Sequence, residues 1–242
     1  MKNFKLKFRG ESLTEVLVAV GILGAVLVTS FILLNRGIST SVTVKNKILA
    51  INIAREGIEG VRNIRDTNWL KYSGDRRNKW LCYNTNYNNN WDKECGNNIY
   101  EYFSIDFDEN HKSFFLKDPD GLNDTIESQE LLNLKDTSTD WSEYRLYKDS
   151  NSRYTHNAGT LSNPNPATIF YRQIKLIAET PPECDGSPNT EANCSANSRL
   201  HVISRVQWRE PLISGENPSA SDLIGTVVME TYLYDYLGRN EY

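Results

Sequence analysis

Glu15 is the residue of this chain whose position most needs a chemical explanation. It stands at the head of residues 16–34, an apolar run of 19 residues without a charge. A charged side chain inside the hydrocarbon core costs about 2.5–3.5 kcal/mol on insertion scales, and a desolvated cation would offset that cost. Gly10 lies five residues earlier, behind a basic tip. Because glycine has no side chain, its backbone is less restricted than that of other residues.

The apolar run is long enough to cross a membrane, since a helix needs about 20 apolar residues to span the hydrocarbon core. A cleavable secretory signal instead has an apolar region of roughly 7–15 residues and a small-residue site at its far end. Residues 29–34, TSFILL, offer no such site. We therefore expect the run to stay with the protein as a transmembrane helix.

The charges around the run predict its orientation. The tip has four basic residues and no acidic one: Lys2, Lys5, Lys7 and Arg9. This bias favours a cytoplasmic N-terminus and an extracytoplasmic C-terminal part. Without the tip the chain has 23 basic and 31 acidic residues, a formal −8. That acidic balance argues against general nucleic-acid binding, which needs basic surfaces.

The cysteines form two sequence-local pairs, Cys82 with Cys95 and Cys184 with Cys194. An even number of cysteines in an exported domain is typical of disulfides. Each of these pairings would close one loop, with a gain of about 3 kcal/mol from the lost chain entropy. A zinc site built from all four is the alternative, although neither pair has the short spacing that zinc sites favour.

Residues 35–66 continue the helical period. Apolar side chains recur there at intervals of three, four or seven residues, namely Val44, Ile48, Ile51, Ile58 and Val61. We expect one helix from residue 11 to about residue 66, with a transmembrane first half, 11–34, and an amphipathic second half, 35–66. The apolar stripe of the second half would pack on a head domain, residues 67–242.

The head has an irregular middle region, 71–167, and a C-terminal sheet, 168–236. In the middle region we expect strands at 100–107, 112–117 and 143–148, a short helix near 127–134 and a polar loop at 149–167. Three alternating strands, at 168–178, 199–209 and 225–234, form the C-terminal sheet. One face of this sheet is expected to be solvated and the other to be covered by the helix. The fold class is therefore α+β, a long N-terminal helix packed on an antiparallel sheet.

The N-terminal segment resembles that of type IV prepilins and type II secretion pseudopilins. The basic leader is followed by Gly10, Ser12, Leu13 and Glu15 and then by the apolar run, where family members have G-F-T-L-I-E and this chain has GESLTE. The strong resemblance covers residues 1–34. Residues 35–66, and the C-terminal strands with VISRVQW and VVMETYLYDY, resemble minor pilins and pseudopilins more loosely. The fold that the resemblance implies is type IV pilin-like.

The resemblance implies a processing and assembly route. A prepilin peptidase of the membrane would cut after Gly10, remove the leader 1–10 and methylate the new amino group of Glu11. The carboxylate of Glu15 would pair with the N-terminal ammonium of a neighbouring subunit. An assembly ATPase and a membrane platform would then draw subunits out of the cytoplasmic membrane into a filament on the cell surface.

Glu11 is the residue that departs from the family pattern, which has Phe after the cleaved glycine. A carboxylate at that position would compete with Glu15 for the ammonium. This favours a minor, priming or tip subunit over the major one.

Other residues suggest chemistry less specifically. The histidines, His111, His156 and His201, lie far apart without ligand spacing, so surface or strand positions are expected for them. Asp118 and Asp120 belong to an acidic turn, for which bound Ca²⁺ is the alternative. The EF-hand pattern requires Gly and Glu at its sixth and twelfth positions, where this chain has Asn123 and Gln129. The chain has no G-x-S-x-G, P-loop or H-E-x-x-H motif.

Aromatic and basic residues interleave between positions 65 and 91. The aromatic ones are Trp69, Tyr72, Trp80, Tyr83, Tyr87 and Trp91, and the basic ones are Arg65, Lys71, Arg76, Arg77 and Lys79. This mixture would suit single-stranded DNA, on whose bases aromatic rings stack, or a glycan. The alternative is that these side chains pack the end of the helix against the sheet.

The function expected from these observations is that of a non-catalytic pilin-like structural subunit, with no metal and no cofactor. Two alternatives differ from it in class. One is a minor or tip subunit whose head binds DNA, a glycan or a surface. The other is an extracytoplasmic enzyme held by an uncleaved membrane helix.

Overall fold

The computed structural model describes residues 13–74, 79–80, 100–109, 112–117, 132–135, 141–179, 199–209 and 224–234. Its helix α1 is continuous over Leu13–Lys71, 59 residues, and so ends five residues beyond the predicted end. Two compact units divide the chain, residues 1–46 and residues 47–242.

The described part of the first unit is the N-terminal stretch of α1. Its large apolar side chains are exposed along the whole run from Leu13 to Ile38. The Thr29 hydroxyl donates to the carbonyl oxygens of Ala25 and Val26, both at 3.0 Å. The helix backbone thus satisfies this hydroxyl, as it must where no water is present. By length and composition α1 can cross a membrane.

The second unit is built on an antiparallel sheet. Its strands are β1 (Tyr100–Asp108), β2 (Ser113–Lys117), β3 (Arg145–Lys148), β4 (Tyr154–Thr155), β7 (Ala167–Glu179), β8 (Arg199–Arg209) and β9 (Ile224–Tyr234). The long strand β7 pairs with β8 along one edge and with both β1 and β3 along the other. The outer strands follow in turn: β2 beside β1, β4 beside β3 and β9 beside β8. A separate hairpin joins β5 (Gly159–Thr160) to β6 (Asn163–Pro164).

The predicted strands are confirmed to within two residues at each end, because alternation of apolar and polar residues marks them clearly. Two predictions about the middle region are corrected. The polar loop at 149–167 contains β4, β5 and β6, too short for alternation to reveal. The predicted helix near 127–134 is described only from Leu132, where the chain is not helical; the remainder of that helix and the other calls on residues 118–131 lie outside the described residues.

The helix covers one face of the sheet, as predicted, and Ile58 and Val61 of the predicted stripe are buried there. Residues of α1 that are fully buried include Ala50, Ile53, Ala54, Ile58 and Val61, and they pack with Phe103, Ile105, Phe170, Ile174, Val206 and Trp208 of the sheet. Val44 is 51% exposed and Ile48 is 54% exposed, so their predicted burial is wrong. The helix instead buries Ala50, Ile53 and Ala54 at this end, and the small side chains of the two alanines allow a close approach to the sheet.

Two glycines mark the closest approach. A Cβ built on Gly57 would lie 2.7 Å from the Cδ1 of Ile174, and one on Gly60 would lie 2.5 Å from the Cδ1 of Ile105. Real Cβ atoms do not come so near other carbon atoms. Each glycine costs about 1 kcal/mol in helix propensity relative to alanine. In return, the two glycines allow α1 to pack closely against β7 and β1.

The second face of the sheet was predicted to be solvated, and this is corrected in part. Leu132 and Leu134 are buried there in a small cluster with Trp141 and Tyr144. Their backbone N–H groups donate to the side-chain oxygens of Gln173 and Gln207, each at 2.8 Å. Because glutamine is polar, the sequence pattern predicts exposed positions for both residues. In the structure their side chains instead bind the segment that contains Leu132 and Leu134 to the sheet.

Candidate functional site

Glu15 lies in the first turn of α1 and is exposed. An acidic side chain near a helix N-terminus is favoured by the helix dipole, by about 0.3–1 kcal/mol at exposed positions. The apolar side chains that follow are exposed as well. The site thus combines one carboxylate with a continuous, exposed apolar surface on a helix that is long and apolar enough to cross a membrane.

Several predicted site residues lie outside the described residues. They are Gly10 and Glu11 at the predicted cleavage and methylation site, the cysteines Cys82, Cys95, Cys184 and Cys194, and Asp118 and Asp120 of the acidic turn. Cleavage, methylation, the two cysteine pairings and the Ca²⁺ alternative therefore remain predictions. Within the described ranges, no group of three or more His, Cys, Asp or Glu residues is arranged to hold a metal ion.

Of the described aromatic and basic residues, the two tryptophans lie in the core, whereas Lys71 is exposed and Tyr72 and Lys79 are half-buried. Trp69 and Trp80 are buried in the core, with 9% and 4% of their surfaces exposed. The Arg65 guanidinium lies 4.6 Å from the centre of the Trp69 ring, and Asn68 Nδ2 donates to the Trp80 carbonyl at 3.2 Å. These two indole rings are thus packing residues of the helix end and are not open faces for a base or a sugar. Tyr83, Tyr87, Trp91, Arg76 and Arg77 lie outside the described residues.

His201 bridges three strands. Its Nε2 lies 3.1 Å from Glu230 on β9 and its Nδ1 lies 3.6 Å from Glu179 on β7, while its ring stacks on Tyr232 at 4.4 Å. Because the two nitrogens face different carboxylates, the three groups do not converge on one point. This is the strand position expected for His201. His111 lies outside the described residues.

His156 differs from the expected surface position, since its side chain is only 3% exposed. Its backbone N–H donates to both carboxylate oxygens of Asp106, at 2.9 and 3.1 Å. Its ring places Nδ1 3.4 Å from Asp106 and Nε2 3.2 Å from the carbonyl oxygen of Arg172. The histidine thus fastens the chain after β4 to β1 and β7.

Arg172 completes this buried polar network. Its side chain is 1% exposed, and its guanidinium donates to the carbonyl oxygens of Ile105 at 2.6 Å and Ile53 at 3.4 Å. One of its nitrogens lies 3.6 Å from Glu56. The arginine therefore links α1, β1 and β7 through polar contacts in the middle of the helix–sheet interface.

The network alters the acidity of Asp106. Burial by itself would raise the pKa of Asp106, but the charge and hydrogen bonds of His156 and the positive charge of Arg172 outweigh it, and the pKa falls below 3.8. Asp106 is therefore a carboxylate in the folded protein at neutral pH, and its charge compensates the buried guanidinium.

A cleft of about 510 Å³ opens beside this network. It is lined by three aromatic rings, four carboxylates, one guanidinium and several small polar side chains: Phe107, Phe114, Tyr154, Glu56, Asp108, Glu109, Asp149, Arg153, Ser150, Asn151, Thr155, Asn157, Asn163 and Asn165. Sequence analysis missed it because its walls come from α1, β1, β2 and the segment 149–165. No motif within one stretch of the sequence indicates that these segments meet to form a cleft.

Comparison with protein-family models, with curated proteins and with solved structures finds no match to this chain.

Proposed function

We propose that the chain is a pilin-like structural subunit, assembled through its N-terminal helix into the filament of a type IV pilus or a type II secretion pseudopilus. The observation on which the proposal rests is the combination at the start of α1. There, Glu15 occupies the first turn of a continuous helix whose apolar side chains are exposed from Leu13 onwards. Such a surface must be removed from water.

Two environments can cover that surface in turn. Before assembly, lipid would surround residues 16–34, with the basic tip on the cytoplasmic side and residues 47–242 outside the cytoplasm. After assembly, the corresponding helices of other subunits would replace the lipid. The helix satisfies its own backbone hydrogen bonds and the Thr29 hydroxyl, so it can exchange one apolar environment for the other without unfolding.

Insertion of the Glu15 carboxylate into the membrane costs free energy, and the role proposed for Glu15 follows from that cost. A prepilin peptidase would cut after Gly10, which places an ammonium on Glu11 of each subunit. Pairing of Glu15 with the ammonium of a neighbouring subunit would offset the insertion cost of about 2.5–3.5 kcal/mol. The carboxylate would therefore favour assembled neighbours over isolated subunits in lipid. The partners are the peptidase, other pilin-like subunits, the assembly ATPase and the membrane platform.

Mass spectrometry of the N-terminus tests the first step. In cells that contain a prepilin peptidase we expect a chain that begins with Glu11 and bears an N-methyl group. In cells without the peptidase, and in a Gly10→Val variant, the tip should remain attached. An intact Met1 terminus in peptidase-positive cells would contradict the proposal.

A Glu15→Gln variant tests the second step. We expect this variant to enter the membrane and to be processed normally, because removing a charge makes insertion easier. Its incorporation into filaments should fall strongly, since the glutamine cannot form the ion pair. Equal incorporation of the variant and the parent chain would exclude a role for the carboxylate in assembly.

A further inference from the structure

The helix α1 has an exposed stripe outside the face that packs on the sheet. Val44 and Ile48 are 51% and 54% exposed, Ile51 is half-buried and Arg55 is exposed. Steps of four, three and four residues place these side chains on one side of the helix. The chain therefore leaves Val44 and Ile48 in solvent, although its periodicity marks them for burial. The stripe has a length of about 17 Å.

The charges along this stripe are basic as far as Arg55, after which Glu56 and Glu59 follow. Between Glu15 and Glu56 the sequence has no acidic residue and four basic ones, Arg36, Lys45, Lys47 and Arg55. Lys45 and Lys47 are exposed. The stripe is thus an aliphatic ridge with a basic rim. A surface complementary to it needs an apolar floor and an acidic rim.

The cleft described above has both properties. Phe107, Phe114 and Tyr154 supply apolar and aromatic surface, and Phe107 is 36% exposed. The lining residues have a formal charge of −3, from four carboxylates and one guanidinium. The cleft is large enough for several aliphatic or basic side chains, at about 510 Å³.

Arg153 shows how this cleft accommodates a cation. Its guanidinium pairs with Asp149 at 2.7 Å and with Glu109, and it lies 5.6 Å from the centre of the Phe107 ring. Carboxylates at the rim and an aromatic ring beneath are the two contacts that hold basic side chains at interfaces. Glu56 and Asp108 line other parts of the same cleft.

We propose that the stripe formed by Val44, Ile48, Ile51 and Arg55, with its rim of Lys45 and Lys47, docks into the acidic cleft of a second copy of this chain. The proposal rests on the proposed function and specifies the contact between neighbouring subunits. The stripe and the cleft are different surfaces, so the contact is heterologous. Each time a subunit is added, one stripe and one cleft remain unoccupied at the two ends of the assembly. A heterologous contact that does not close into a ring produces a filament.

Site-specific photocrosslinking of the full-length chain in its membrane tests the contact directly. With p-benzoyl-phenylalanine in place of Ile48, we expect a crosslinked dimer whose second attachment maps to the lining of the cleft. The same probe in place of Asn63, which is also exposed on α1 but lies outside the stripe, is the matched control and should not attach there. A dimer attached elsewhere, or no dimer, would overturn the proposal.

A charge exchange tests complementarity. Lys47→Glu alone and Asp108→Lys alone should each lower the yield of the Ile48 crosslink by about tenfold, because each places like charges at the contact. The double variant should recover most of that loss. Asp108→Asn, which removes the charge without reversing it, should give an intermediate yield, and thermal unfolding of each variant shows whether it is folded. Equal yields in all folded variants would overturn the proposal.

The two proposals fail in distinguishable ways. If processed subunits form filaments but the Ile48 probe does not reach the cleft, the filament function stands and the docking contact is wrong. If the N-terminus is never processed but the probe attaches in the cleft, the chain self-associates by this contact and the pilin-like function is wrong.

Discussion

Gly57 of α1 lies directly against Ile174 of β7, so closely that a Cβ on the glycine would stand 2.7 Å from the Ile174 Cδ1. The same Cβ would stand 2.9 Å from the Ser204 Oγ on β8. The helix thus meets the two central strands at a position where only glycine fits without a shift. The close spacing of helix and sheet at this point depends on the missing side chain of Gly57.

Enlarging this residue should destabilise the protein. We expect Gly57→Val to lower the free energy of unfolding by about 1–3 kcal/mol, the usual cost of overpacking. The measurement is denaturant unfolding of the full chain in detergent, followed by tryptophan fluorescence. Asn63→Val, on the exposed side of the same helix, is the control and should change stability by less than about 0.5 kcal/mol. A Gly57→Val variant as stable as the control would show that the helix is not held so close.

The buried glutamines of the sheet should matter more than their polarity suggests. Gln173→Leu removes the acceptor for the buried N–H of Leu132, and an unsatisfied buried donor costs about 1–3 kcal/mol. We expect that loss in unfolding free energy, together with faster hydrogen exchange at the Leu132 amide. Asn133→Ala, between the two buried leucines but exposed, should leave both quantities nearly unchanged. Slow exchange at Leu132 in the Gln173→Leu variant would contradict this account.

Asp106 should make the fold sensitive to acid. Because the pKa of Asp106 in the folded protein lies below its ordinary value of 3.8, the carboxylate binds protons more weakly in the folded than in the unfolded chain. Its contribution to stability is therefore complete well above pH 3.8 and is lost as the pH falls through the lower, folded pKa. Unfolding free energies measured in small pH steps across this range should show the decline.

Asp106→Asn is the variant that assigns this decline to one residue. The amide cannot titrate, so the part of the acid dependence that Asp106 causes should disappear. At neutral pH the variant should be less stable by about 1–3 kcal/mol, since it loses charge-assisted hydrogen bonds with His156. If parent and variant lose stability in parallel between neutral pH and the acid range, other carboxylates are responsible.

The apolar half of α1 should behave as a membrane segment. Val26→Arg places a charge in the middle of the exposed apolar run, at a cost of about 2.5–3.5 kcal/mol on insertion scales. We expect a clear fall in the fraction of chain that resists alkaline extraction from membranes, whereas Val26→Leu should leave that fraction unchanged. Full retention of the arginine variant would show that membrane insertion does not depend on this run.

The elements of this fold could be predicted because their signals are local. The strands β7, β8 and β9 alternate strongly, and the helix has an uninterrupted period. Phe170, Ile174 and Leu176 lie at positions separated by multiples of two along β7, as a strand with one covered face requires, and all three are buried. The place of Glu15 on the helix, at the head of the apolar run, also follows from the sequence.

The sequence could not predict which side of α1 meets the sheet. Its period predicts one apolar stripe, of which Ile58 and Val61 are buried while Val44 and Ile48 are exposed. The structure buries Ala50, Ile53 and Ala54 in addition, and Gly57 and Gly60 on the neighbouring turns let the sheet approach closely. How closely a helix packs on a sheet depends on the side chains of both surfaces. The periodicity of the helix alone therefore cannot predict it.

The buried polar residues are a second feature that the sequence pattern could not predict. Gln173 and Arg172 are adjacent on β7 and point to opposite faces, and both are almost completely buried. A polar side chain is ordinarily predicted to be exposed. Its burial is favourable only when groups from distant parts of the chain form hydrogen bonds or ion pairs with it. The sequence by itself determined the helix, the longer strands and the place of Glu15, which depend on neighbouring residues. Only the tertiary structure decided the helix face, the buried polar network and the acidic cleft, because each depends on groups that the fold brings together from distant parts of the chain.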